Sequence, residues 1–576
     1  MDISNEIDFD STTSKRIAAE EKFGKEWPVV YLLYNEKEVY VGETVDARIR
    51  MAQHYENSER RKLKYARIIS GGEFNKSVIL DLEAFLISHM SADSKFEKLQ
   101  NGNAGHQQHN YYNQEYYESQ FGELWKRLQN FKLAKEEIDK IENSNLFKYS
   151  PYKTLTSEQY TIATGIVSML RQSIEKQEKG KTFIINGKPG TGKTVLGIYL
   201  MKLLASQTNY DLDSDDEHLI ENLQAIHYAL PKMKIGIVVS MVNLREILKT
   251  TFGATYGLNK GMVYGPSEIA NSKEDFDILI VDEAHRLKTT RNAGAAIGKM
   301  QETNTELGLG KNTGNQLDWI LKKSRFQILF YDKEQSIKRT DIDATVFSEL
   351  EKKNTEVFDL ETQIRCKKGG EQYIKYMREI FSENPPDAIL DTGEYELKMF
   401  DDVYKMTEAI KKKDDDDSEV GLSRNLAGYA WPWVTKGKIN PQNCEETREC
   451  IARGMYDIEI DGHKYIWNIK YDGWVNTTNA VNEIGCIHTI QGFDLNYAGV
   501  IIGNELRYDP VSKKLYVDKD NYYDINGKNK TEEKDLLKYI LNIYFVLCTR
   551  GIYGTYIYAC DDALRKYLKK YIKTVA

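Results

Sequence analysis

The chain runs to 576 residues, beyond the size at which one hydrophobic core stops growing, so three or four domains are expected. Its composition, 41% apolar and 29% charged, is that of a soluble globular protein; no apolar run approaches the roughly 20 residues of a bilayer span, and the acidic opening MDISNEIDFD does not read as a secretory signal, so a cytoplasmic protein without a membrane partner is expected. The net charge of −8 argues against a globally basic nucleic-acid binder and leaves a local basic stripe in a cleft as the way such a chain would grip one.

The first β-rich runs are WPVVYLLY and EVYVGET, over residues 27–45; the turn-like NEK between them predicts a hairpin, and a helical pattern starts after Thr44. The tyrosine-rich tract NYYNQEYYESQ (110–120) suits packing or an adhesive surface better than base stacking. Glu123–Asn145 is charged, amphipathic and free of Gly and Pro, which predicts a connecting helix, broken near 145–152 by NLFKYSPY.

From there to about residue 400 strands and helices alternate: strand 182–186, helix 195–206, strand 234–240, helix 243–250, then strands 277–281 and 326–331. Such alternation predicts a parallel sheet covered by helices on both faces. The charge runs DLDSDDEH (211–218) and KKKDDDD (411–417) read as solvated loops, the second separating two lobes. Beyond it, YDIEIDGHKYIWNIK (456–470), turning at Asp461-Gly462, and NELRYDPVSKKLYVD (504–518) read as inserted hairpins. Six cysteines (366, 444, 450, 486, 548 and 560) form no C-x-x-C pair and no metal-ligand spacing, so reduced thiols are expected.

Two segments carry recognisable chemistry. GKPGTGKT (187–194) follows the β-branched and aromatic KTFIIN and precedes VLGIYLMKLLA, apolar at helical spacing, which gives a strand, a tight loop and a helix N-terminus in that order. The loop of Gly187, Pro189, Gly190, Thr191 and Gly192 aims backbone N–H groups and the positive end of the helix dipole at phosphates. Lys193 is then placed to neutralise the β/γ-phosphates and Thr194 to ligate Mg²⁺. In DILIVDEAH (277–285) a buried strand delivers Asp282 to that Mg²⁺ and Glu283 to the attacking water, the division of labour phosphoryl transfer needs, so ATP with Mg²⁺ is the expected cofactor.

Around these segments further pieces occur in an order that resembles superfamily-one helicases, and most of all the bacterial Schlafen-type DNA/RNA helicase domains, over about residues 150–572. LTSEQ (155–159) is similar to the Q motif, which implies that Gln159 reads the adenine edge, and VVSMVNLREIL (238–248) resembles the segment that touches the nucleic-acid backbone. LFYDKEQSI (329–337) resembles the γ-phosphate sensor, with Gln335, and LETQIRC (360–366) presents Arg365 from the second lobe. GCIHTIQGFDLNYAGVIIG (485–503) is similar to the motif coupling nucleotide to strand, through Gln491 and Gly492, and YFVLCTRGIYGTYIYACD (544–561) to the motif whose Arg550 is the arginine finger. The chemistry behind two such cations is charge stabilisation in the transition state when two lobes close on a triphosphate. GLSRNLAGYAWPW (421–433) matches the Schlafen-type family alone; its Trp431 and Trp433 suit base stacking or a buried structural role.

Residues 29–31 (VVY), 40–42 (YVG), Arg50, His54 and Glu83 resemble, in order and approximate spacing, the GIY-YIG nuclease family over roughly 27–115. The first triad departs from that pattern in lacking its glycine and isoleucine. The resemblance implies that Tyr31 and Tyr40 lie together with one as base or water-orienting group, that Arg50 stabilises phosphorane charge, and that Glu83 holds one divalent metal, Mg²⁺ or Mn²⁺. It also implies a role for Asn101, with Asn103 as competitor, while His54, one turn after Arg50, faces the same side to assist the base or a phosphate. Arg48 points elsewhere on that helix.

The expected architecture is α/β: an N-terminal extension (1–26), a small α+β GIY-YIG-like domain (27–118), a charged helical connector (119–150), and two RecA-like doubly wound parallel-sheet lobes with β-rich insertions. Residues 151–400 hold the first lobe and the start of the second, the boundary near 340–360, and 401–576 the rest. The expected function is an ATP-dependent translocase or helicase-like enzyme coupled to a metal-dependent endonuclease, acting on nucleic acid, with DNA favoured and RNA open, in restriction, repair or phage defence. Two other readings are an ATP-dependent remodeller whose N-terminal module grips without cutting, and a regulatory NTPase switch.

Overall fold

The computed structural model describes the chain except for residues 21–24, 102–110, 207–215, 291–295, 333–340, 363–369, 416–421, 438, 440–446, 470–473, 478, 491–492, 525–527, 529–531 and 576. Three six-stranded sheets organise it. Among the described residues no helix is long and apolar enough to cross a membrane.

The first sheet comprises β1 (Asp2–Ile3), β2 (Ile7–Asp8), β3 (Val29–Tyr34), β4 (Glu38–Thr44), β5 (Tyr65–Ser70) and β6 (Lys98–Leu99), in the order β1-β5-β3-β4-β6 with β2 also on β5. The Asn35 side chain accepts from the amides of Lys37 and Glu38 and closes the β3–β4 turn. All six residues of β3 are buried, because both faces are covered. Val30 and Leu32 pack with the helices Lys76–Ala92 and Gln114–Asn130, while Val29, Tyr31 and Leu33 pack with Ala47 and Met51 of the helix Ala47–Glu56 and with Ile17.

Two expectations shift here. Residues 1–26 are not an appendage: β1 and β2 pair with β5, and strands of two residues leave no periodicity to read. The connector is not one helix but Gln114–Asn130, Ile138–Asn143 and Asn145–Lys148, and Phe121, Leu124, Trp125 and Leu128 of the first piece lie in the core of the N-terminal module. The first helix stops at Phe131, beyond which Lys132 is left-handed (φ 59°) and the Leu133 amide donates back to the Leu128 carbonyl at 2.8 Å; further on, Asp93 accepts from the amides of Lys135 and Glu136, both at 2.9 Å.

The second sheet holds β7 (Lys181–Gly187), β8 (Ile235–Val239), β9 (Val263–Tyr264), β10 (Phe276–Asp282), β11 (Ser324–Tyr331) and β12 (Thr355–Leu360), all parallel, in the order β12-β7-β11-β10-β8-β9. Phe183, Ile185, Ile237, Ile278, Ile280 and Phe330 face the helices Ser157–Glu175, Lys193–Ala205, Glu217–Ala229 and Val242–Ala254, while Ile184, Val238, Leu279, Val281 and Leu329 face Gln316–Lys323 and Ala344–Glu351. Burial on both faces is why these strands read as unbroken apolar runs, each fully buried Ile or Phe adding roughly 1.5–3 kcal/mol.

The third sheet holds β13 (Glu396–Phe400), β14 (Arg424–Ala427), β17 (Ile484–Cys486), β18 (Leu495–Ile502), β21 (Gly551–Ala559) and β22 (Thr574–Val575), again parallel, in the order β17-β14-β18-β21-β13-β22. Two antiparallel hairpins project from it, β15 (Ile458–Ile460) with β16 (His463–Tyr465) and β19 (Leu506–Asp509) with β20 (Lys514–Val517). The first turns on Asp461 (φ 50°) and Gly462 (φ 81°), both left-handed as a two-residue hairpin loop requires. β12 ends the first lobe at Leu360, and Tyr373 and Met377 of the helix Gly370–Ile380 lie in the core of the second. The run from Lys411 does not separate the lobes: Lys411–Asp414 closes the helix Val403–Asp414 inside the second, where Asp414 accepts from Arg424 and from the Ser423 amide, both at 2.7 Å. Cys450 is disulfide-bonded, against the expectation of free thiols, while Cys486, Cys548 and Cys560 are free.

Candidate nucleotide site and N-terminal side-chain cluster

β7 runs into the loop 187–192 and the helix Lys193–Ala205 begins directly after it. Gly190 (φ 84°) and Gly192 (φ 77°) take left-handed conformations that cost an L side chain about 1 kcal/mol or more. Lys193 folds back into this loop: its ammonium donates to the carbonyls of Gly187 (2.5 Å) and Lys188 (3.0 Å) and lies 3.6 Å from Asp332. Thr191 closes the loop by donating to the Lys188 carbonyl.

At the carboxyl end of β10, Asp282 accepts from the Thr194 hydroxyl through Oδ2 (3.0 Å), while its buried Oδ1 has no hydrogen-bond partner. A buried, unpaired carboxylate oxygen beside a hydroxyl is the donor set of a hard divalent cation, so Thr194 and Asp282 fit Mg²⁺. Burial, together with Glu283, pushes Asp282 up to about 7. Glu283 takes a left-handed backbone conformation (φ 51°), a strain that well-packed surroundings hold in place at functional sites. Burial opposes its ionisation, yet His285 at 3.0 Å, Arg286 donating at 2.8 Å and the charge of Lys193 hold it well below the usual carboxylate range. The Asp332 amide donates to His285 Nδ1 (3.3 Å), which turns Nε2 toward Glu283.

Gln159 sits beside this loop. Its Oε1 accepts from the Thr156 amide in a capping box and its Nε2 donates to the Thr191 carbonyl, both at 3.0 Å. Arg550 follows the helix Glu533–Cys548 and donates to the Phe493 carbonyl (3.4 Å), next to the segment bearing Gln491 and Gly492. Gln335, Arg365, Gln491 and Gly492 lie outside the described residues. Trp431 packs 6.3 Å from Trp467 and, with Trp433, lines the second-lobe core. The structure adds Asp332, His285 and Arg286 to the site; the first stands at the end of an apolar strand, and the other two follow the acidic pair in sequence, which is the signal that points to them.

The N-terminal cluster is built on the β3–β4 hairpin, whose register sets Tyr31 opposite Gly42 and Leu33 opposite Tyr40. The Tyr31 and Tyr40 rings are 6.2 Å apart. The Tyr31 hydroxyl bonds His54 Nε2 at 2.6 Å, and Arg50 donates to the same oxygen at 3.4 Å. Burial, with the charges of Arg50 and Arg60, holds His54 well below the usual imidazole range, so it stands as a neutral acceptor for the tyrosyl proton. Asn101 brackets Val41 by accepting from its amide (3.1 Å) and donating to its carbonyl (2.7 Å). Arg60, unremarked in the sequence, is buried over the Tyr40 ring at 3.8 Å and donates to Gln100. Arg48 pairs with Asp46, the N-cap of its own helix, at 3.2 Å. Glu83 is buried on the helix Lys76–Ala92, which packs on β3 and β4. Among the described residues no three His, Cys, Asp or Glu side chains gather into a metal cluster. Asn103 lies outside the described residues.

Two parallel doubly wound sheets, the first carrying a phosphate loop with an acidic pair at the next-but-one strand, define a P-loop NTPase of helicase-like build. The chain belongs to the Schlafen group 3 family, DNA/RNA helicase domain, whose model matches residues 180–561. That match starts after the N-terminal module. A relative, the uncharacterized protein YPL245W of Saccharomyces cerevisiae, is 26% identical over 452 residues, covering 72% of this chain and 90% of its own. Similar solved structures include a Pif1 helicase from Bacteroides in complex with ADP-AlF3 and ssDNA (10% identity, 70% of this chain and 92% of that one, TM-score 0.26). Another is the DEAD-box helicase Mss116 bound to ssRNA and UDP-BeF (12% identity, 72% of this chain and 75% of that one, TM-score 0.31). Likenesses this distant carry no conclusion about this chain's ligands.

Proposed function

We propose that the chain is an ATP-driven nucleic-acid translocase coupled to a metal-dependent endonuclease. The observation that carries the first half is the juxtaposition of Lys193, Thr194 and the orphaned oxygen of Asp282 with an ionised Glu283. In this reading Lys193 leaves its loop carbonyls for phosphate oxygens, Thr194 and Asp282 hold Mg²⁺, and Glu283, gripped by His285 and Arg286, orients water and takes its proton. Arg365 and Arg550 supply cations from the second lobe. Mg²⁺, when bound, neutralises charge on the phosphates.

The second half rests on the convergence of His54 and Arg50 on the Tyr31 hydroxyl. A tyrosine whose proton has a neutral imidazole to go to is equipped to act as base or to orient water, with Arg50 beside the phosphate it attacks and Glu83 as metal ligand. The substrate in this reading is nucleic acid, with DNA favoured.

Cleavage of plasmid, linear duplex, single-stranded DNA and RNA with Mg²⁺ or Mn²⁺, with and without ATP, tests both halves. Glu83→Ala is expected to abolish cutting and spare ATP turnover, and Lys193→Ala to abolish turnover. Cutting that survives Glu83→Ala removes the metal assignment; no cutting on any substrate leaves a remodeller whose N-terminal module grips, with affinity that falls steeply with salt.

A further inference from the structure

The strand that ends the first lobe is the direct neighbour of the strand that enters the phosphate loop. β12 pairs with β7 so that Asp359 lies opposite Asn186, their side chains bonded at 3.1 Å, and Leu360 lies opposite Gly187. Immediately beyond, the amides of Glu361 and Thr362 both donate to one carboxylate, Glu158, at 2.9 and 2.8 Å through separate oxygens. Glu158 stands at the start of the helix Ser157–Glu175, next to Gln159, whose amide grips the Thr191 carbonyl inside the loop. The first turn of one helix therefore holds the phosphate loop with one residue and the outgoing chain with the next.

We infer that Glu158 is a positioning residue: it clamps the start of the connection to the second lobe against the phosphate loop, so that nucleotide in the loop sets where that connection begins. The inference rests on the ATPase reading above. The clamp is of the strong kind, because two N–H groups donate to an ionised acceptor, and those bonds hold Glu158 below the usual carboxylate range although burial opposes them. A shift of the Thr191 carbonyl when phosphate enters is handed through the Gln159 amide to the helix turn, and from Glu158 to residues 361–362. Cations that the second lobe lends to the triphosphate reach it through this connection, so the clamp acts on turnover and not on nucleotide affinity.

Hydrogen exchange of the amides at 361–362, read with and without a non-hydrolysable ATP analogue, tests the clamp independently of catalysis. Glu158→Ala is expected to speed exchange there by about tenfold or more, as loss of two charge-assisted bonds requires, and to abolish the response to the analogue. In steady-state ATP hydrolysis the same variant lowers kcat by about tenfold with KM changed less than about twofold. Glu158→Gln, which keeps the reach and the acceptor oxygens without the charge, restores part of both; Glu158→Asp, which keeps the charge at the helix start but shortens the reach, restores neither. Unchanged exchange in Glu158→Ala, an analogue response equal to wild type, or a loss carried by KM alone overturns the inference. Wild-type turnover no higher than that of Lys193→Ala overturns the ATPase reading instead, and the exchange experiment still decides the clamp.

Discussion

Gly42 is a glycine for steric and not conformational reasons, and Gly42→Ala turns that into a measurement. A Cβ there would lie 2.5 Å from Cζ and 2.9 Å from Cε2 of Tyr31, closer still to its hydroxyl oxygen, all below any real contact distance. The ring has no free direction: it is fully buried and its hydroxyl is tied to His54 at 2.6 Å. Overpacking of this kind costs about 1–3 kcal/mol, and pulling the hydroxyl off a buried imidazole about 1–3 kcal/mol more, so a loss of about 2–4 kcal/mol is expected once partial relaxation is allowed. For a unit of roughly 150 residues that lowers Tm by roughly 4–16 °C. Urea or thermal melts of Gly42→Ala in the wild-type and Tyr31→Leu backgrounds provide the assay. With the ring gone, the alanine should cost less than about 1 kcal/mol, a coupling of contacting residues that a double-mutant cycle isolates. Equal cost in both backgrounds would refute the reasoning.

Further outcomes follow from other groups. Burial pushes Glu505 up to about 7 although the Tyr544 hydroxyl bonded to it pulls the other way, so the folded chain keeps a proton that the unfolded chain releases near pH 4.5. Its contribution to stability therefore declines as pH rises from about 4.5 to 7 and is flat above; Glu505→Gln should match wild type near pH 4.5 and exceed it by up to about 3 kcal/mol at pH 8, and a gap equal at both pH values in urea melts counts against it. Gly462→Ala, at a left-handed turn position (φ 81°), is expected to lose about 1 kcal/mol, read from the urea midpoint, with hydrolysis unchanged. Asp282→Asn should keep the bond to Thr194 while cutting Mg²⁺-dependent hydrolysis by at least about 100-fold, and turnover within tenfold of wild type would remove Asp282 from the metal site.

The central strands of both lobes were legible because burial on two faces leaves continuous apolar runs, and the phosphate loop because its chemistry is local, a strand, glycines and a helix start in succession. β12 was harder: TEVFDL is an edge strand with alternating exposure, and nothing in it betrays that it completes the loop-bearing side of the sheet. The connector breaks without a Gly or Pro in the run, because Lys132 takes the left-handed conformation that closes its first piece, and a lysine at that position gives no signal in the sequence. Tyr31 and Arg50 were legible through the family resemblance alone, and His54 was placed beside Arg50 by spacing, since two residues a helical turn apart share a face. Arg60 and Glu158 were not: each acts on a partner fixed by tertiary contact, Tyr40 for the one and residues 361–362 for the other.

The pairing of β7 with β12 also orders events during synthesis. Asn186 and Asp359 bond across 173 residues of chain. A nascent chain that has just exposed GKPGTGKT has a phosphate loop whose strand is open on both sides, because neither neighbour of β7, β11 nor β12, has yet been made. The last flank closes when residue 360 clears the ribosome, and by then every other strand of that sheet has been made. Nucleotide competence thus arrives late and all at once, and a truncated product ending before residue 355 is left with a bare, apolar sheet edge that invites association with other unfinished chains.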